Sequence, residues 1–164
     1  YNNMHIAVLG YTADAEILNR QLKWLKQDMK ASDKPWKMLV THKPPYYTNP
    51  FGGNEIMKEK IPPVADQLGI DLVFSGHDHS YGRTKKLKAG NEDANGTVYV
   101  VAGTTGNKHY DAVADEKFEF VNMDNIAVSM RAKVNRDKIT FKTISSDGDL
   151  IDEFTIKNED YHEE

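Results

Sequence analysis

Leu72-Val73-Phe74-Ser75-Gly76-His77-Asp78-His79 is the stretch from which the rest of this 164-residue chain is read. A short run of large apolar residues without alternation reads as a strand buried on both faces, the kind found inside a parallel sheet. In open α/β sheets ligands collect at the C-terminal edge of such strands, and Gly76, His77, Asp78 and His79 fall there. On an extended backbone the rings of His77 and His79 project to one side from positions roughly 7 Å apart, which suits one cation or two close ones. Asp78 then faces the opposite way, toward solvent or as support behind a ligand. Gly76 lets the chain turn ahead of them without a Cβ clash.

Working outward, residues 36–41 form a second apolar run that ends at His42, and Lys43-Pro44-Pro45-Tyr46-Tyr47 opens a loop whose prolines cannot donate to a ladder. Two parallel strands joined through a helix bring His42 beside His77. The helices are readable. Leu18, Leu22, Leu25 and Met29 at helical spacing, with Asp14 as N-cap, predict a helix over about residues 15–30. A second is expected between Asn54 and Leu68, with Pro62-Pro63 breaking it or starting its second piece and Gly69 ending it. Residues 4–9 read as a first strand, entered without an initiator Met, as an excised or processed piece would be. From Thr97 the period changes to 2, and residues 97–101, 126–134, 138–144 and 150–156 read as antiparallel strands. Asn135-Arg136-Asp137 and the Asp147-Gly148 region are their turns. Residues 1–157 are expected to form one domain, with an acidic tail over 158–164.

Composition narrows the chemistry. A net charge of -4 from 21 basic and 25 acidic side chains lacks the basic excess that duplex nucleic acid requires. No cysteine is present, so a metal site must be built from His, Asp, Glu and Asn. No apolar run is long enough to span a membrane. His5, His109 and His162 sit in contexts that read as ordinary surface or structural positions.

Residues 76–83, Gly-His-Asp-His-Ser-Tyr-Gly-Arg, resemble the closing Gly-His-x-His motif of calcineurin-like metallophosphoesterases, particularly the Gly-His-x-His-x-Tyr-x-Arg form of purple acid phosphatases. Leu39-Val40-Thr41-His42 is similar to the preceding Val-x-x-His motif, with Leu in place of Val. Residues 21–25, the Gly-rich turn at 101–106, and Asp147-Gly148 with Ile151-Asp152 are similar to later and earlier stretches of the same family. The resemblance implies an α/β fold: the C-terminal half of a four-layer α/β/β/α sandwich, with a mixed sheet and antiparallel C-terminal hairpins. It also implies that His42 and His77 bind one metal ion and His79 the other, Fe, Zn or Mn, with no catalytic residue beyond these ligands. The family's aspartate-bearing and Gly-Asn-His motifs are absent from this chain, and Gly106-Asn107-Lys108-His109 and Gly148-Asp149 do not replace them.

The expected activity is therefore hydrolysis of a phosphate ester at a two-metal site, to which this chain brings the histidines. Two alternatives stand beside it: a mononuclear zinc hydrolase built on the three histidines, and a non-enzymatic surface or interaction module that kept the fold. Lys43, Tyr47, Asn49 and Asn54 are candidates for phosphate contact. Alone, the chain is expected to be inactive and to pair with a missing N-terminal half or with its own copy. A secreted or cell-surface setting is what the resemblance suggests.

Overall fold

Residues 2–49, 55–159 and 161 are described by a computed structural model. The apolar runs lie where continuous burial puts them. Strands β1 (Met4–Val8), β2 (Trp36–Thr41) and β3 (Leu72–Ser75) pair in parallel, with Met38 opposite Leu72 and Thr41 opposite Ser75. The crossovers are α1 (Ala15–Lys30) and α2 (Glu55–Leu68). Asp14 caps α1 as expected: its Oδ1 accepts from the Glu16 and Ile17 amides at 2.7 and 3.0 Å, satisfying two donors that a helix start leaves unpaired. Leu18, Leu22, Leu25 and Met29 then pack with Met57, Ile61 and Val64 of α2 over Ala7, Leu39 and Val73, so both helices cover one face of the sheet.

Two expectations are corrected. Helix α2 runs unbroken through Pro62 and Pro63. Each proline withholds an N–H from the carbonyl four residues back, at Lys58 and Glu59. Both of those residues are exposed, so the lost bonds fall on the outer side of the helix while Pro62 packs inward. The second correction concerns the later strands: β4 (Tyr81–Lys88), β5 (Asn91–Glu92), β6 (Thr97–Ala102) and β7 (Phe118–Val121) join the first sheet, in the order β1-β2-β3-β6-β4-β5 with β7 on β4. Strand β6 is parallel to β3 and antiparallel only to β4. Its first five residues are all buried, which is the signature of a central strand rather than of a two-faced hairpin.

The true hairpins follow. β8 (Val128–Val134), β9 (Lys138–Ser145) and β10 (Leu150–Lys157) form a three-stranded antiparallel sheet. It packs Ile139, Phe141 and Ile156 against Trp36, Leu72, Val98 and Val100, on the face opposite the helices. Polar bolts hold the two sheets together. The indole N–H of Trp36 donates to the Asn135 carbonyl at 2.6 Å, and the Tyr81 hydroxyl and Arg83 Nε each donate to Asp152 Oδ2 at 2.8 Å.

The result is three layers, helices on sheet on sheet. The small sheet covers its neighbour in part. Coverage fails toward β1, where Ile6 is 45% and Val8 64% exposed. A groove of about 280 Å³ lies there, lined by Met4, Ile6, Met38, Phe74, Met130 and Phe141 among others.

Candidate metal centre

The parallel register brings the ends of β2 and β3 level. Thr41 and Ser75 face each other with their hydroxyl oxygens 2.9 Å apart, and the Gly76 amide donates to the His42 carbonyl at 3.1 Å. The two imidazoles that follow therefore meet: His42 Nε2 lies 3.2 Å from His77 Nδ1, with the ring centroids 5.1 Å apart and nearly perpendicular. Two nitrogens that each bind one tetrahedral ion at about 2.0–2.1 Å stand roughly 3.3 Å apart, so this pair matches the spacing of two ligands on a single cation. Burial first, then the charges of Lys43, His42, His79 and Lys108, lowers the His77 pKa below its ordinary 6.5. Lowering keeps the ring neutral, the form that donates a lone pair to a metal.

His79 shares the same edge but turns differently. Its Nδ1 lies 2.9 Å from the Lys108 carbonyl. A carbonyl only accepts, so Nδ1 carries the proton and Nε2 keeps the lone pair, the tautomer that metal-bound histidines commonly hold through a backbone oxygen. Among the described residues, no three His, Asp or Glu side chains converge closely enough to hold an ion by themselves. The set is imidazole alone, which fits part of a metal site and requires carboxylates from elsewhere to offset the charge of two ions.

The backbone between the histidines is not extended. His77 and His79 take φ of 72° and 55°, in the left-handed region, and the Asp78 amide donates to the Gly76 carbonyl at 2.9 Å. The reason lies with Asp78, whose side chain enters the interior with no exposed surface, which excludes the solvent-facing one of its two expected placements. Its Oδ2 accepts from the Thr48 amide at 2.7 Å and the Asn49 amide at 3.1 Å. Burial raises its pKa above the ordinary 3.8 while those amide bonds pull it back.

Of the loop residues expected near phosphate, Lys43 lies with its Nζ 5.6 Å from the Tyr11 ring centre, and Tyr11 in turn stands edge-on to His42 at 5.9 Å. Asn49 gives its amide to Asp78, Tyr47 lies beneath Lys58, and Asn54 lies outside the described residues. His5 bonds Asp28 at 2.6 Å away from the site, and His162 is outside the described residues. Residues the sequence did not single out also border the site. Tyr110 packs 5.3 Å from the His79 ring, with Lys108 Nζ 5.1 Å above its centre. Tyr81 and Arg83 of the motif serve the inter-sheet contact to Asp152 instead.

Comparison with known proteins points to one family. The sequence pattern of the calcineurin-like phosphoesterase family matches residues 3–81. Purple acid phosphatase 18 of Arabidopsis thaliana is 35% identical over 111 residues, covering 64% of this chain and 25% of that protein. Purple acid phosphatase 22 of the same plant is 31% identical over 119 residues, covering 70% and 27%. The structure of purple acid phosphatase PPD1 from yellow lupin (Lupinus luteus) seeds superposes with a TM-score of 0.72 at 19% identity, covering 94% of this chain and 30% of the lupin chain. The matched segment and the fold are similar to those of calcineurin-like metallophosphoesterases. Within that class, the relatives named here are purple acid phosphatases, which the chain resembles over part of their length. The chain spans about a quarter of the length of the curated relatives it matches.

Proposed function

We propose that this chain is the histidine-bearing part of a metal-dependent phosphoric ester hydrolase with a two-metal site, His42 and His77 serving one ion and His79 the other. The observation that carries the reading is the 3.2 Å approach of His42 and His77 at the ends of adjacent parallel strands. When bound, such ions lower the pKa of water and offset charge on a phosphoryl group. The chain's own residues hold lone pairs toward that space: burial keeps His77 neutral, and the Lys108 carbonyl fixes the His79 tautomer. Lys43 and Lys108 add positive charge beside the histidines, which favours an anionic substrate.

The bridging carboxylates and a cover for the groove beside β1 are both supplied, in this reading, by the rest of a longer protein. The lack of a complete ligand group among the described residues and the exposed Ile6 and Val8 support it. The test compares the isolated chain with the intact protein on a chromogenic phosphate ester. The intact protein is expected to turn over and its His77→Ala variant to lose most activity, whereas the isolated chain is inactive and sediments as more than a monomer. An active, monodisperse isolated chain would refute the reading.

A further inference from the structure

Three loops border the histidine edge: residues 42–49 after β2, residues 76–80 after β3, and residues 103–117 between β6 and β7. They meet at one buried point. Asp78 Oδ2 takes the Thr48 and Asn49 amides, and the Thr48 hydroxyl lies 3.4 Å from the same oxygen and 2.6 Å from Ser80 Oγ. From its other side, the Thr48 carbonyl accepts from the Val113 amide at 2.7 Å, which ties in the loop that offers the Lys108 carbonyl to His79. Thr48 and Asp78 have no exposed surface. Space around the point is closed as well: a Cβ on Gly82 would stand 2.4 Å from Thr48 Cγ2.

The knot sits between two residues in an unfavourable conformation. A left-handed backbone at a non-glycine residue is unfavourable and persists only where surroundings over-determine it. Both His77 and His79 are left-handed, and Asp78 is the residue between them. A carboxylate taken out of water is retained by charge-assisted bonds from backbone amides, and its capture fixes the direction of both flanking rings.

We propose that Asp78, through Thr48, is the positioning residue of the metal centre: it holds the three loops in register and keeps His77 and His79 in the strained turn that aims them. This rests on the metal-site reading above. Asp78 touches neither ion nor substrate, and acts through the histidines on either side.

The test is Zn²⁺ titration calorimetry on the intact, metal-stripped protein. Asp78→Ala is expected to weaken Zn²⁺ binding about 10–100-fold, the range for residues that orient a ligand from behind. Asp78→Asn, whose Oδ1 still accepts from the Thr48 amide, is expected to stay within about three-fold of wild type. A merely structural role would lower the melting temperature of Asp78→Ala without changing the affinity of folded molecules, and that result would overturn the proposal. His77→Ala separates the two layers of argument. If it binds Zn²⁺ like wild type, the metal reading fails and the proposal with it; if it weakens binding while Asp78→Ala does not, the proposal alone fails. Should Asp78→Ala not fold, hydrogen exchange of the wild-type protein decides: the Thr48 and Asn49 amides must be strongly protected, and exchange at open-loop rates would overturn the assignment.

Discussion

Asp71, at the entrance of β3, is a carboxylate far from the histidine edge whose surroundings make stability depend on pH. Burial pushes its pKa from 3.8 up to about 6, although the Lys37 amide donates to its Oδ2 at 2.8 Å. The folded chain thus holds a proton there between pH 3.8 and about 6 that the unfolded chain has released. The contribution to stability is fully present below 3.8 and lost as pH rises through about 6. Asp71→Asn is expected to flatten this part of the melting-temperature profile while keeping the acceptor for Lys37; a profile parallel to wild type across that window would contradict it. At this same scale the candidate site was half legible. His42 and His77 stood out because each follows an apolar run, but Asp78's burial did not. Strand periodicity assumes an extended backbone, and the left-handed turns at His77 and His79 break that assumption. Lys108 and Tyr110 reach the site from an irregular loop whose path no periodicity specifies.

Among the elements, α1 with its Asp14 cap and the β8–β10 hairpins were legible because cap chemistry and two-residue periodicity are local signals. Strand β4 was not, since Tyr81-Gly82-Arg83-Thr84-Lys85-Lys86-Leu87-Lys88 is too polar to read as a strand. Its pairing is decided by β6 and β7 on either side. The partners of β6 are hidden for a related reason: period alone does not reveal which neighbours a buried strand will have. The polar residues of β4 turn out to matter for packing. Arg83 and Asp152 are 14% and 7% exposed, and the guanidinium also lies 4.5 Å over the Phe154 ring. Arg83→Ala would leave the Asp152 carboxylate buried without its cation, which costs about 3–5 kcal/mol for pairs of this kind. Urea unfolding of the intact protein should show that loss, and a change below about 1 kcal/mol would mean that the two sheets are held by apolar contact alone.

For the whole molecule, the layers and the ligand inventory point the same way. Helices cover one face of the large sheet, the small sheet covers part of the other, and an apolar groove remains beside β1. At the histidine edge, likewise, no three His, Asp or Glu side chains among the described residues converge closely enough to hold an ion. In the proposed function His42 and His77 share one ion and His79 takes a second, within a site completed by the longer protein. Elemental analysis of the intact protein, purified with and without His77→Ala, tests it most directly. Two metal ions per wild-type molecule and one in the variant are the predicted result; the same metal count in both would contradict it.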